Sequence, residues 1–389
     1  MPDRPLRVLH LLTAVDPGGL SRYVIDLANA TAAEGNEVVV AADEGAWGER
    51  FLGQSFEFVR IPLRRERWLY RRSLAVLSAR LADRPPDLIH SHYRRATLLG
   101  RRLQRLLVSA QTGAASARST ALPGPRDGVP PILYTVHLSH ISLGFPRNLL
   151  TDFGDHTHVA SEDSRLWCLQ QGRVPAERIT LIPHGVDTAR FHVPTPETRS
   201  AARAALQLGE SEVVAAFVGR LENPKNESWL IDLAAASRAQ LPHLRVFLAG
   251  DGPNAPALRQ RIDEQNLHDR VRLLGEIDPL PLYHAADALL LPSAREGFSL
   301  VCAEAMSCGL PVLRTRTSGT TELILEGQTG CSTPIDRDAF LAAAIPFLSD
   351  RSRLRAMGAT AAEHVRRNFT FRRQVERTIE LYRRLAQRA

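Results

Sequence analysis

Short runs of Val, Ile and Leu recur along the first half of the chain. Between them, apolar residues return at every third or fourth position. Arg7–Thr13, Glu37–Asp43, Phe56–Leu63, Asp87–Tyr93, Ile132–His137 and Thr157–Ser161 are such runs. Apolarity without strict alternation is the mark of parallel strands buried on both faces. Gly19–Glu34 places Leu20, Val24, Leu27 and Ala28 at helical spacing, which predicts a helix after the first strand. Strand, helix and strand in alternation predict a doubly wound parallel sheet.

The pattern breaks once. Ser109 to Pro131 is rich in Ala, Ser, Thr, Gly and Pro and has no period, so a mobile loop is expected there. Ile179–Ile182 and the following Pro183-His184-Gly185-Val186-Asp187 close the first series. Phe191 to Thr198 holds two prolines and reads as a linker. A second series follows at Val213–Gly219, Arg245–Gly250, Val271–Leu274, Ala288–Leu291 and Pro311–Thr315. The tail from Phe371 to Ala389 sets Val375, Ile379, Tyr382 and Leu385 on one side of an amphipathic helix. The expectation is two Rossmann-like domains, 1–190 and 191–370, facing across a cleft, with the helix 371–389 packing back on the first. Ligands in such sheets sit beyond the carboxyl ends of the strands.

Composition narrows the class. The chain has 389 residues, 44% hydrophobic and 23% charged, which suits a folded two-domain protein. No stretch approaches the ~20 apolar residues of a membrane span, and no basic-then-apolar leader is evident, so a cytoplasmic location is expected. Cys168, Cys302, Cys308 and Cys331 form no C-x-x-C pair and read as reduced thiols.

The net charge is +7, and the excess leans to the first half, where residues 1–182 carry 23 Arg against 18 Asp and Glu. Arg64, Arg65, Arg67, Arg71 and Arg72 surround Trp68, Leu69 and Tyr70, and Arg94, Arg95, Arg101, Arg102 and Arg105 add to them. Basic side chains interleaved with aromatics can dock on anionic lipid, so contact with the inner face of a membrane is expected here. A nucleic-acid partner is not, because no recognition motif accompanies the charge. Lys225 is the only lysine in the chain. A compact point charge on a flexible stem suits phosphate oxygens.

Lys225 lies in Val218-Gly219-Arg220-Leu221-Glu222-Asn223-Pro224-Lys225-Asn226, just after a strand. Arg220 and Lys225 there can clamp a diphosphate, one as a fork and one as a point charge. A second stretch, Leu290-Leu291-Pro292-Ser293-Ala294-Arg295-Glu296-Gly297-Phe298-Ser299-Leu300, leaves a strand and opens a helix. Amides at such a helix start bind phosphate. Glu296 and Glu304 are about 12 Å apart along a helical rise, too far for a paired acid and base.

Together, these stretches closely resemble the retaining GT-B glycosyltransferases of the large glycogen-synthase-like, phosphatidylinositol-mannosyltransferase-like family, glycosyltransferase group 1. Ala249-Gly250-Asp251-Gly252-Pro253, Glu304-Ala305-Met306, Gly309-Leu310-Pro311-Val312 and the span from Gly319 through Glu322 to Gly330 resemble it too. The resemblance implies that Arg220 and Lys225 hold the donor diphosphate and that Glu296 meets hydroxyls of the transferred sugar. It implies amide contacts from Gly297, Phe298, Ser299 and Leu300, a ribose contact from Glu304, and a base contact near Glu276-Ile277. In the first half, Asp16-Pro17-Gly18-Gly19-Leu20 resembles the family's glycine-rich loop, so Gly18 and Gly19 are placed near the donor. His137, closing its strand, is placed beside the donor sugar.

No metal or other cofactor is implied. His90, His92, His140, His156 and His158 also populate this half, and a metal cluster among them is conceivable, although the resembled family needs no metal. The implied reaction moves a hexose from a nucleotide diphosphate sugar, UDP-linked by preference, to a lipid-linked or glycan acceptor of the cell envelope or an exopolysaccharide. A nucleotide-sugar epimerase or phosphorylase of the same fold, or a sugar-binding scaffold without activity, stays open.

Overall fold

The computed structural model describes residues 4–16, 18–66, 70–112, 129–137 and 151–387, with side chains undescribed at 110–112. The chain folds as two compact units. One comprises Met1–Ile182 with Val375–Ala389, and the other Pro183–Gln374.

The first unit holds β1(Arg7–Ala14), β2(Glu37–Asp43), β3(Glu57–Arg60), β4(Leu88–Ser91), β5(Ile132–Val136), β6(His156–Val159) and β7(Ile179–Leu181). They form one parallel sheet in the order β3-β2-β1-β4-β5-β6-β7. Alternate residues of β1 serve opposite faces. Leu9 and Leu11 join Val39, Val59, Leu77 and Leu99 on one face. Leu6 and Val8 join Leu88, Leu133 and Ile182 on the other, where Tyr382 and Leu385 of the helix Phe371–Ala386 cover them. Both faces are thus buried, which is why the strands read as unbroken apolar runs.

The second unit holds β8(Val213–Val218), β9(Leu244–Ala249), β10(Val271–Gly275), β11(Ala288–Leu291), β12(Val312–Thr315) and β13(Gly330–Thr333), in the order β10-β9-β8-β11-β12-β13. All of its strand pairs are parallel as well. In each sheet the order reverses once, between β1 and β4 and between β8 and β11. The loops leaving those strands flank a crevice at their carboxyl ends, where ligands of doubly wound sheets bind.

The structure corrects several expectations. Helix Arg94–Thr112 runs past Ser109, because Leu103 and Leu107 continue its buried stripe; residues 113–128 of the expected loop lie outside the described residues. Phe191–Thr198 is no linker. Phe191 is buried against Tyr283, and Thr195 caps the helix Pro196–Ala205, all within the second unit. The chain therefore passes from one unit to the other at Ile182, not at 190, and leaves the second again at Gln374. β13 was not anticipated from the sequence.

Candidate functional site

In the second unit, two loops at the switch point are stitched together by two hydrogen bonds to backbone carbonyls. The amide of Ala294 donates to Pro224 O at 2.7 Å, and Asn226 Nδ2 donates to Pro292 O at 2.9 Å. That stitching delivers Lys225 to Glu296, and Nζ lies 2.8 Å from Oε1. Both side chains are mostly buried, Lys225 to 25% and Glu296 to 12% exposure. Arg220 is more open and pairs with Glu222 at 2.9 Å. The structure thus brings Arg220, Lys225 and Glu296 to one end of the sheet, each candidate cation already facing an acid.

The helix that follows begins where the sequence places its start. Ser299 is extended, and its hydroxyl accepts from Cys302 N. Phe298 and Ser299 are buried, and Leu300 opens the helix Leu300–Ser307. Its first-turn amides have no acceptor within the helix, so they supply donors and a partial positive charge. Backbone crowding holds this corner. A Cβ on Gly319 would stand 3.2 Å from Gly297 O and from Phe298 Cα, and one on Gly250 would stand 1.9 Å from Gly219 O.

Glu304 is buried one turn into the helix, where the Tyr283 hydroxyl donates to its Oε2 at 3.2 Å. Burial and the neighbouring Glu304 carboxylate hold the Tyr283 phenol well above its usual range. Sequence reading missed Tyr283, which lies in the helix Pro279–Ala285 with no motif around it. It missed Arg314 as well. That guanidinium is fully buried, and Nη2 donates to Thr317 Oγ1 and Ser318 O, bracing the turn before Gly319. The Cys302 thiol feels Arg314, Glu296 and Lys225 together, although burial dominates and raises it. Ile277 stands apart from this group. It is 41% exposed and follows Gly275, whose carbonyl accepts from Gly250 N.

A cavity of about 530 Å³ in the same unit is lined by Phe191, Val193, Arg199, Asp287, Leu310 and Leu354. Asp287 and Leu310 precede β11 and β12, so it lies at the amino ends of the strands, away from these loops. All four cysteines are free, three of them buried.

In the first unit, Gly18 adopts a backbone with φ 147° that favours glycine, and Gly19 starts the helix Gly19–Ala33. Open space surrounds both positions. One turn on, the Tyr23 ring meets His137 edge-on with centroids 5.4 Å apart. Gly18, Gly19 and His137 therefore belong to one neighbourhood at the carboxyl ends of β1 and β5. His137 is partly exposed, and Nε2 lies 3.2 Å from His92 Nδ1. Burial first, then repulsion from His158, pushes its imidazole down, so it is neutral near pH 7.

Behind it sit His10, His90 and His92, which bring one ring nitrogen each within 4.8 Å of one another. Such a trio has the donors for a metal. Both nitrogens of His90 and of His92 are, however, engaged in hydrogen bonds. His140 lies outside the described residues.

The basic segment is less of a surface than its composition promises. Tyr70 is buried in the core with Leu77 and Leu81. Arg101 is buried in a pair with Asp152 and Asp155 at 2.7 and 2.5 Å. Arg64 pairs with Asp16. Arg65, Arg71 and Arg72 are exposed, whereas Arg67 and Trp68 lie outside the described residues. No helix among the described residues is long and apolar enough to cross a membrane.

Two parallel doubly wound sheets, each with its candidate residues beyond the carboxyl ends of central strands, define a GT-B glycosyltransferase fold. Solved structures share it across nearly the full chain. A sucrose-phosphate synthase from Thermosynechococcus elongatus superposes with TM-score 0.79 at 22% identity over 99% of this chain and 100% of that one. Anabaena HepE in complex with UDP gives TM-score 0.79 at 21% identity over 97% and 99%.

Glycosyltransferase Family 4 matches residues 17–190, and Glycosyl transferases group 1 matches residues 212–350. The chain belongs to this family of glycosyltransferases. Among curated proteins, the D-inositol 3-phosphate glycosyltransferase of Nocardia farcinica is 35% identical over 219 residues, 53% of this chain and 47% of that protein. The Mycobacterium marinum protein of that name is 31% identical over 330 residues, 79% of this chain and 66% of its own length. The chain thus spans about half to two thirds of the curated relatives it matches.

Proposed function

We propose that this chain transfers a hexose-type sugar, with retention at the anomeric carbon, from a nucleotide diphosphate sugar to a lipid-linked or glycan acceptor. A UDP-sugar is the favoured donor, and cell-envelope or exopolysaccharide synthesis the favoured setting. The observation that carries the reading is the Lys225–Glu296 pair at the switch point of the second sheet, beside the start of the helix Leu300–Ser307. The relatives named as D-inositol 3-phosphate glycosyltransferases, and the HepE structure holding UDP, support a sugar-nucleotide donor.

In this reading the second unit, Pro183–Gln374, takes the donor and the first, Met1–Ile182 with Val375–Ala389, takes the acceptor. As the bond to the sugar breaks, negative charge grows on the leaving diphosphate. Arg220, Lys225 and the amides of Gly297, Phe298, Ser299 and Leu300 stabilise it where it forms. An ammonium has three N–H donors, so Lys225 can keep Glu296 and still reach a phosphate oxygen. Glu296 accepts from hydroxyls of the sugar, Glu304 from the ribose, and Ile277 offers its backbone to the base. Gly18, Gly19 and His137 meet the sugar substrate from the first unit. The departing phosphate accepts the acceptor's proton on the same face, so no carboxylate nucleophile is required. No metal enters the scheme. The exposed Arg65, Arg71 and Arg72, with Arg64, Arg67 and Trp68, bring the enzyme to an anionic lipid surface on the cytoplasmic side.

Diphosphate release from UDP-, GDP- and ADP-sugars, with mixed membrane lipids as acceptor and Lys225→Ala as control, tests the reading. Release from one donor, stimulated by lipid and lost in the variant, is expected. If no donor is consumed and none raises the melting temperature, the reading fails. Consumption without lipid stimulation removes the lipid acceptor alone.

A further inference from the structure

Val312, Leu313, Arg314 and Thr315 make up β12, and all four are fully buried. A guanidinium keeps its proton at any working pH, so a full positive charge lies inside this sheet. A buried charge is costly unless an acid faces it. The buried Arg101 of the first unit has Asp152 and Asp155. Arg314 has no acid partner among the described residues. Nη2 donates to Thr317 Oγ1 and Ser318 O, and Nε reaches Thr315 O at 3.4 Å. Nη1 is buried with no partner at all among the described residues. Every acceptor is neutral, so the hydrogen bonds leave the charge uncancelled.

That charge sits under the candidate donor site. Arg314 pairs in register with Leu291, the last residue of β11, from which the loop to Glu296 departs. Its own strand runs on through Thr317 and Ser318 to Gly319, where an added Cβ would stand 3.2 Å from Gly297 O. Cys302 lies in the first turn of the helix Leu300–Ser307. Burial moves its thiol most, and among the charges around it Arg314 acts ahead of Glu296 and Lys225.

The site is short of positive charge without it. Arg220 is held by Glu222 at 2.9 Å and Lys225 by Glu296 at 2.8 Å, while Glu304 lies buried in the helix. Two cations thus face three carboxylates. A diphosphate brought to that set alone meets a net negative charge. Arg314 levels the count. Arg295 and Arg316 are exposed, so water and salt screen them, whereas a charge held away from water acts at full reach.

We propose that Arg314 is the buried counter-charge of the donor diphosphate. It does not touch the ligand. It is a positioning residue that acts through the first helical turn and the turn before Gly319, and it sets how strongly the site prefers two phosphates to one or none. The inference rests on the proposed function for the identity of the ligand.

The test separates charge from architecture with ligands of graded charge. Affinities of the full-length protein for uridine, UMP and UDP are measured by calorimetry. If the wild type prefers GDP or ADP, the corresponding series is used. Wild type is compared with Arg314→Gln and with Arg314→Gln combined with Glu222→Gln, which removes one carboxylate from the site. Arg314→Gln is expected to weaken UDP by roughly 10–30-fold and UMP by less, and to leave the nucleoside within about twofold. The double variant is expected to regain about threefold for UDP, a modest gain because Glu222 is 37% exposed.

An equal loss for nucleoside and diphosphate overturns the proposal, because a loosened turn and not a missing charge would then be responsible. A double variant that binds UDP no tighter than Arg314→Gln overturns it too. If Arg314→Gln does not fold, Arg314→Lys decides. A lysine there carries charge only while protonated, and burial lowers its pKa. Its UDP affinity is expected to fall at least about threefold relative to wild type between pH 6.5 and about 9, and parallel profiles overturn the proposal. A wild type that binds no nucleoside diphosphate ends the functional reading and this proposal with it. Wild-type binding with any of the other failures removes only the role of Arg314.

Discussion

The only lysine of the chain places Nζ 2.8 Å from the Glu296 carboxylate, 71 positions away in sequence. Neither residue lies on a strand. Each sits on a loop leaving one of two neighbouring strands, β8 and β11, and the loops are tied to each other by backbone at Pro224 and Pro292. The pair is thus a product of the topology, and the ammonium is held before any ligand arrives.

Removing that ammonium is expected to damage turnover far more than folding. Lys225→Ala leaves a single charge unpaired at a position that retains some solvent. Loss of one donor to developing charge costs about 10²–10³ in kcat. The expected result is that fall in kcat/KM for the sugar nucleotide with a melting temperature within a few degrees of wild type. A double-mutant cycle with Glu296→Gln should show strong non-additivity, because the two side chains are in contact. Additive losses would mean that they act independently.

Gly250 supplies a stability test that is independent of chemistry. Its φ of 138° and the carbonyl of Gly219 leave no room for a side chain, since an added Cβ would fall 1.9 Å from that oxygen. Gly250→Ala is expected to destabilise the protein by about 2–4 kcal/mol. Urea denaturation of the two proteins measures it. A loss below about 1 kcal/mol would mean that the loops after β8 and β9 yield freely.

How much of this was legible beforehand depended on what kind of signal each element carries. β2 and β11 have the bounds that their apolar runs indicate, and β1, β8 and β12 differ by a residue at one end. β13 has the sequence Gly-Cys-Ser-Thr and no apolar pattern. It forms because Gly330 lets the chain lie against Val312, where a Cβ would stand 2.1 Å from the carbonyl oxygen.

Basic composition was read as surface, yet Arg101 is inside, paired with Asp152 and Asp155 more than fifty positions away, where no local pattern reveals them. The stretches around Lys225 and Glu296 were visible because their spacing is local. The cluster of buried histidines was not. Its members come from β1, β4, the end of β5 and β6, and their adjacency is set by strand register alone.

Tyr283 is expected to tune Glu304. Tyr283→Phe removes the hydroxyl that donates to a buried carboxylate at 3.2 Å. A lost bond to a charged group costs about 1.5–3 kcal/mol, part of it in stability and part in how Glu304 is presented. The expected outcome is a several-fold higher KM for the sugar nucleotide with kcat nearly unchanged, read by steady-state kinetics across donor concentration. An unchanged KM would remove Glu304 from the ribose contact or Tyr283 from its support.

The buried histidines predict a specific acid sensitivity. Burial lowers His10 from its ordinary 6.5 to about 3 and His158 to about 4. In the unfolded chain both take up protons below pH 6.5, while the folded protein does not. Stability therefore rises with pH through this window, is lost as pH falls below 6.5, and gains nothing further above it. Between pH 7.5 and 5.5 these two residues together should cost roughly 3 kcal/mol, with His90 and His92 adding in the same direction. The window lies above the ordinary carboxylate range, so acids contribute little to the slope. Urea denaturation at pH 7.5, 6.5 and 5.5 measures it, and His158→Asn should reduce the slope below pH 6.5 by about 1.4 kcal/mol per pH unit. An unaltered slope in that variant would show that His158 is already charged in the folded protein, and Ile182 O, 2.8 Å from its Nε2, would then be the carbonyl that stabilises the imidazolium.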